Sequence, residues 1–133
     1  MIKVIITGSN GLLGQSLLDL LLKEKETYET YGFSRGKNRS GRDDFYYADL
    51  DLTQEDILKT EIEKINPDFI INTAAMTQVD ECEDNKEACD RLNVDVVKSL
   101  VSIAKKLNIH VIHLSTDFIF DGTKGNYKET DST

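Results

Sequence analysis

The sequence predicts an α/β fold with a doubly wound parallel sheet, and three observations carry that prediction. Short apolar runs rich in β-branched residues, the first at residues 2–6, have the pattern of strands buried on both faces. Longer stretches with leucine and isoleucine at helical spacing separate them. The first strand also runs through three glycines, Gly8, Gly11 and Gly14, directly into a helix.

Each element follows from its residues. Residues 2–6 form the first predicted strand, ending at Thr7, and residues 12–22 carry the leucines of the first helix. Residues 28–33 (YETYGF) read as the second strand, followed by a polar loop with four cations, Arg35, Lys37, Arg39 and Arg42. Residues 45–50 read as a short third strand. Thr53 then looks like an N-cap with Asp56 three positions on, and Ile57, Leu58, Ile62 and Ile65 mark one helical face. Asn66-Pro67 ends that helix, and residues 68–72 (DFIIN) form the fourth strand. Asp80, Glu81, Glu83 and Asp84 read as an acidic loop. A long helix is expected over residues 86–107, with Leu92, Val96, Leu100, Ile103 and Leu107 facing inward. Asn108 stops it. Residues 109–114 (IHVIHL) form the fifth strand, after which Phe118, Ile119 and Phe120 are expected to return to the core. The strand order expected from this alternation is 3-2-1-4-5, a Rossmann-type sheet with its switch point over the glycine turn.

Bulk properties bound the function. With 133 residues the chain fits one domain, residues 1–133, large enough for a real core. A formal charge of −8 argues against a nucleic-acid footprint or an anionic membrane surface. No stretch has the length of a transmembrane helix or the apolar block of a signal peptide. Cys82 and Cys89, seven apart, match neither a zinc pair nor a C-x-x-C motif, so two packing thiols in a reducing cytoplasm are expected. His110 and His113 are three apart on a strand, point to opposite faces and cannot share a metal, so no metal site is expected.

The glycine turn carries the chemistry. A strand–turn–helix lets a phosphate rest on bare backbone N–H groups at the positive end of a helix, and a Cβ there would hold a pyrophosphate off. The spacing G-x-x-G-x-x-G at the start of the chain therefore reads as a dinucleotide turn. It is not a P-loop, because Gln15 follows the last glycine where lysine would be needed. About twenty residues on, an acidic residue would accept from a free ribose 2′-hydroxyl. This chain has Ser34 and Arg35 there, which donate to a 2′-phosphate. NADP(H) is thus expected over NAD(H), with Arg35 the first contact and Lys37 or Arg39 in reserve. Thr73-Ala74-Ala75-Met76-Thr77 is small enough for a planar ring to lie close, Asn93 is a polar amide beside the inward stripe, and Ser115-Thr116-Asp117 lies at the mouth of the sheet.

TGSNGLLG at residues 7–14, DLTQ at 51–54, NPDFIINTAAMT at 66–77, LNV at 92–94 and LSTDFIFDGTKGNYKETD at 114–131 together resemble the extended short-chain dehydrogenase/reductases. Within them the chain is most similar to the dTDP-4-dehydrorhamnose reductase group. The resemblance implies that Gly8, Gly11, Leu12 and Leu13 cradle the pyrophosphate, that Asp51 and Leu52 flank the adenine, and that Ala74, Ala75 and Met76 line the nicotinamide half. It also implies Thr116 as the catalytic hydroxyl on a nucleotide-sugar carbonyl, Asp117 close to the sugar, and Asn93 as the asparagine behind the site. The group's Tyr-x-x-x-Lys pair is expected roughly eight residues past Asp131; Tyr127 is no substitute, since Asp131 stands in its i+4 place. The expectation is therefore a truncated, cofactor-binding portion of an NADPH-dependent reductase, with a homodimer left open. An epimerase or dehydratase of the same superfamily, or a non-catalytic dinucleotide-binding regulatory subunit, are the alternatives.

Overall fold

The computed structural model describes residues 1–116 and 119–133. Five strands, β1 (Ile2–Thr7), β2 (Tyr28–Ser34), β3 (Tyr46–Asp49), β4 (Phe69–Asn72) and β5 (His110–His113), form one sheet in the order β3-β2-β1-β4-β5. Every pairing is parallel, with Ile5 of β1 opposite Tyr31 on one side and Ile70 on the other. The chain winds outward from β1 to β3 and then returns to β4, so the carboxyl ends of β1 and β4 form the switch point where such sheets bind ligands.

The central strand is apolar from Val4 to Ile6 because both of its faces are covered there. Ile5 points into a core with Phe33, Ile70, Leu58, Ile62 and Leu100. Its neighbours Val4 and Ile6 point the other way, onto Leu18 and Leu22 of α1 (Leu12–Leu22). Each such aliphatic side chain contributes about 1.5–3 kcal/mol on burial. Helix α2 (Glu55–Ile65) buries Leu58, Ile62 and Ile65 and ends on Asn66 at φ 49°, a left-handed cap just before Pro67. Helix α5 (Val96–Leu107) buries Val96, Leu100, Ile103 and Ala104 and ends the same way on Asn108 at φ 57°. Leu92 and Leu107 pack against this core while remaining partly exposed.

Four expectations about the helices and the C-terminal segment are corrected. Thr53 does not cap α2: its hydroxyl and N–H both donate to Asp51, and Gln54 precedes the helix without a side-chain cap. The acidic stretch is a short helix, α3 (Val79–Asp84), because Asp80 and Glu81 in its first turn complement the helix dipole. The expected long helix is composite. Helix α4 (Lys86–Asp90), with Asn85 Oδ1 accepting from Ala88 N at 3.2 Å, passes through a π-helical turn at Arg91–Asp95 before α5 begins. Ile119 is exposed rather than returned to the core, and Phe120 stacks on Tyr127; Phe118 lies outside the described residues.

The two cysteines form a disulfide. Asn85 separates α3 from α4, and this helix–helix junction brings Cys82 and Cys89 to a Cα separation of 5.2 Å. Two separate packing thiols are thus replaced by a covalent staple. Among the described residues, no helix is long and apolar enough to cross a membrane.

Candidate functional site

At the switch point, the glycines act through the space they leave. Gly8 has φ +72°, and a Cβ on it would lie 2.8 Å from Ala74 N. A Cβ on Gly14 would lie 2.3 Å from the Gly8 carbonyl oxygen, so α1 could not approach the turn. Gly11 is looser, at 3.2 Å from the same oxygen. Their own N–H groups do not all face outward. Gly8 and Ser9 donate to the Phe33 carbonyl at 2.8 and 3.2 Å, and Gly11 donates to Gly8 at 2.9 Å.

What the turn offers a ligand is therefore the start of α1. Gly11 precedes the helix without a capping side chain, and first-turn N–H groups have no intrahelical acceptor. Leu12 and Leu13 supply those amides while their side chains stand 90% and 44% exposed. The electropositive helix end and the absent Cβ atoms fit a diphosphate.

From the turn, a cleft of about 910 Å³ runs along the carboxyl edge of the sheet, a size suited to a cofactor. Gly8, Gly11, Ser34, Arg35, Asp51, Leu52, Ala74, Ala75 and Met76 all line it, so nine residues singled out from the sequence converge on one space. Arg39 lines it as well; Lys37 does not. Arg42 is committed elsewhere, holding Asp44 at 2.6 and 2.9 Å and reaching Asp19 at 3.5 Å. The same guanidinium, with Lys25 beside it, holds the Asp44 carboxyl far below the usual carboxylate range.

Asp51 stands at the opening of the cleft. Its Oδ1 accepts from the Thr53 hydroxyl at 2.7 Å and the Thr53 N–H at 2.9 Å. Those two bonds, aided by the charge of Arg35, lower its pKa and keep it an acceptor.

At the far end, Asn93 is a support rather than a lining group. Its Oδ1 accepts from Met76 N at 2.8 Å and its Nδ2 donates to Met76 O at 2.9 Å, a two-point grip on the segment that lines the cleft. Asn93 lies in the π-helical turn, whose extra residue breaks the regular helical register there. The same Nδ2 lies 3.2 Å from Cys89 Sγ, so the disulfide backs this grip.

Several supporting contacts are not legible in the sequence. Asn10 ties the basic loop to the glycine turn, and Thr73 Oγ1 donates to the Thr7 carbonyl at 2.7 Å. Beneath the cleft, buried Thr7 donates to Asn72 Oδ1, and Asn72 Nδ2 is 3.0 Å from His113 Nδ1. His113, which the sequence excludes only as a metal partner of His110, closes this polar chain across three strand ends. Thr116 is exposed just beyond β5 and does not line the cleft. Asp117 lies outside the described residues.

Comparison with known proteins gives this geometry a context. The RmlD substrate binding domain family matches residues 2–133. A dTDP-4-dehydrorhamnose reductase from Aggregatibacter actinomycetemcomitans is 36% identical over 132 residues, which cover 98% of this chain and 40% of that protein. Methionine adenosyltransferase 2 subunit beta from Xenopus laevis is 30% identical, covering 96% of the chain and 36% of the subunit. Among solved structures, a hypothetical dTDP-4-dehydrorhamnose reductase from Sulfolobus tokodaii superposes with a TM-score of 0.83 at 39% identity, over 98% of this chain and 45% of that one. A dTDP-4-dehydrorhamnose reductase from Bacillus anthracis in complex with NADP has a TM-score of 0.73 at 28% identity, over 93% and 40%. The chain thus spans 40–45% of the length of these reductases.

Proposed function

Because the chain belongs to the RmlD substrate binding domain family, we propose that residues 1–133 form the dinucleotide-binding portion of a reductase that prefers NADPH to NADH. Its substrate would be a nucleotide-activated 4-keto deoxysugar, with dTDP-4-dehydro-L-rhamnose reduced to dTDP-L-rhamnose. The observation that carries this reading is the single cleft joining the glycine turn, the basic loop and the Ala74–Ala75–Met76 segment. A dinucleotide presents its diphosphate, adenosine ribose and nicotinamide in an arrangement those three places can receive.

The chain's residues have separate tasks. Leu12 and Leu13 amides hold the diphosphate at the end of α1. Ser34 and Arg35 donate to the 2′-phosphate, and Asp51 accepts from the adenine amine through the carboxylate oxygen that Thr53 does not use. Ala74 and Ala75 let the nicotinamide lie against the backbone, and Asn93 fixes that backbone through Met76. When bound, the nicotinamide supplies a hydride to the keto carbon. Thr116 donates to the keto oxygen, and Asp117 contacts the sugar. None of the five tyrosines in these 133 residues has a lysine four positions on, so the chain by itself binds cofactor without turnover.

Calorimetric titration tests this. NADP⁺ should bind about 10-fold or more tightly than NAD⁺. Binding of neither refutes the site, and steady NADPH oxidation by the 133-residue chain with the keto sugar refutes the division of labour. A non-catalytic dinucleotide-binding subunit is the second reading, favoured by the similarity to the Xenopus laevis subunit. Cofactor binding by the full-length protein without any rate on the keto sugar would support it.

A further inference from the structure

The geometry points to Asn10 as the positioning residue that sets how strongly the site distinguishes a 2′-phosphorylated dinucleotide from one with a free 2′-hydroxyl. This rests on the cofactor reading above, but it concerns a residue that touches neither reacting atom nor, in this reading, the 2′-phosphate.

Asn10 belongs to the glycine turn, yet its side chain reaches the basic loop 25–29 residues away. Its Nδ2 donates to the carbonyls of Arg35 at 3.1 Å and Lys37 at 3.0 Å, and to the Tyr47 hydroxyl at 3.0 Å. Its Oδ1 accepts from Arg39 N at 2.9 Å. Tyr47 extends the clamp by donating to the Gly36 carbonyl at 2.7 Å. Two side chains from the turn and from β3 thereby grip the backbone from Arg35 to Arg39.

The loop needs such a clamp. It has no strand partner over this stretch, and Gly36 and Gly41 adopt φ +77° and +70° with nothing within 4 Å of where a Cβ would be. A freely moving loop of this kind loses conformational entropy when a ligand orders it, which weakens binding. Arg35 and Arg39 are the loop cations that line the cleft, whereas Arg42 is committed to Asp44 and Asp19. Two guanidiniums carried on a fixed stretch of backbone suit a phosphate dianion; a hydroxyl gains nothing from them. Asn10, which lines the cleft next to Gly11, therefore acts on the 2′-phosphate through the two arginine backbones.

The test is calorimetric titration of NADP⁺ and NAD⁺ into wild type, Asn10→Ala and Tyr47→Phe, each with a melting curve. Asn10→Ala should weaken NADP⁺ about 10-fold and NAD⁺ less than about 2-fold, because a loosened charge-assisted contact is lost only where a phosphate makes one. Tyr47→Phe, which removes one hydroxyl from the same clamp, should lower the NADP⁺/NAD⁺ affinity ratio about 3-fold. A general loss of structure would weaken both ligands together and leave the ratio unchanged. An unchanged ratio in Asn10→Ala overturns the inference; if that variant does not fold, an unchanged ratio in Tyr47→Phe does so. A wild-type chain that binds neither ligand removes the cofactor reading itself, a different failure from a clamp that proves irrelevant.

Discussion

Two glycines of the turn, Gly14 and Gly11, should respond differently to the same added methyl group. In Gly14→Ala the new Cβ would lie 2.3 Å from the Gly8 carbonyl oxygen and 2.8 Å from Ser9 Cα, both backbone atoms that cannot rotate away. Helix α1 would have to lift off β1, disturbing the contact of buried Leu18 and Leu22 with Val4 and Ile6. Overpacking of this kind costs about 3 kcal/mol, which for a domain of this size lowers Tm by about 10 °C. In Gly11→Ala the methyl meets one oxygen at 3.2 Å, and the loss is the smaller one of a poorer N-cap, about 1 kcal/mol. That methyl would stand beside the Leu12 and Leu13 amides, so cofactor affinity should fall by about 10-fold or more while the fold survives. Differential scanning calorimetry and NADP⁺ titration on the two variants separate these effects. A Gly14→Ala variant that melts like wild type refutes the packing argument. A Gly11→Ala variant with undiminished NADP⁺ affinity refutes placement of the diphosphate on this turn.

Three further outcomes follow from the same geometry. Arg35→Ala should lower NADP⁺ affinity about 10-fold with little change for NAD⁺, whereas Arg42→Ala, whose guanidinium already holds Asp44 and Asp19, should leave both affinities unchanged; titration of the two variants with both cofactors checks this. Asp51 has a lowered pKa in the fold, so its stabilisation is present above the unfolded-state pKa and disappears as pH falls through the folded one. Thr53→Ala removes the hydroxyl donor and should raise the Asp51 pKa toward its ordinary value, seen as a later midpoint in the carboxyl NMR titration; its stability deficit in urea at neutral pH should vanish in acid. The Cys82–Cys89 staple closes a short loop and is worth about 2.5 kcal/mol by chain entropy. Reductant should therefore lower Tm in wild type and leave Cys82→Ser unaffected; equal melting of oxidised and reduced wild type would contradict the staple's contribution.

The parts legible in the sequence are those fixed by local chemistry. Short apolar runs at Val4–Ile6 in β1 and Phe69–Ile71 in β4 fit strands covered on both sides, and alternating them with leucine-rich helices leaves few topologies. The Asn66-Pro67 and Asn108 stops are legible because a left-handed cap needs such residues whatever surrounds it. The glycines announce a ligand turn since their spacing excludes side chains from one patch. What sequence reasoning missed depends on contacts between distant segments. Asn10 looks like a spacer between glycines until the loop 25 residues later folds over it. Asn93 stands out as a polar amide beside the inward stripe, but its grip on Met76 is not legible, because nothing in RLNVD signals the π-helical turn. The disulfide was hidden by a spacing of seven, which brings two cysteines together only if a junction intervenes. Asn85, three residues before Ala88 at the start of α4, was the available signal for that junction.

The division of labour at the cleft has a physical cause. Where parallel strands end, backbone carbonyls and N–H groups lose their ladder partners and must find others. Water or a rearranged loop could serve, but then the rim would move and each ligand would have to order it again. Here side-chain amides serve instead. Asn10 takes backbone carbonyls of the basic loop and Asn93 holds both backbone polar groups of Met76, while Asn72 joins the side chains of Thr7 and His113. A carboxamide suits each position because it donates and accepts without charge, so its burial carries no ionic desolvation cost and puts no field on the cleft. An aspartate in any of the three places would lose the donor and set a negative charge beside a site built for phosphates. Neutral side chains therefore fix the frame, and the positive potential is left to the helix end and to Arg35 and Arg39.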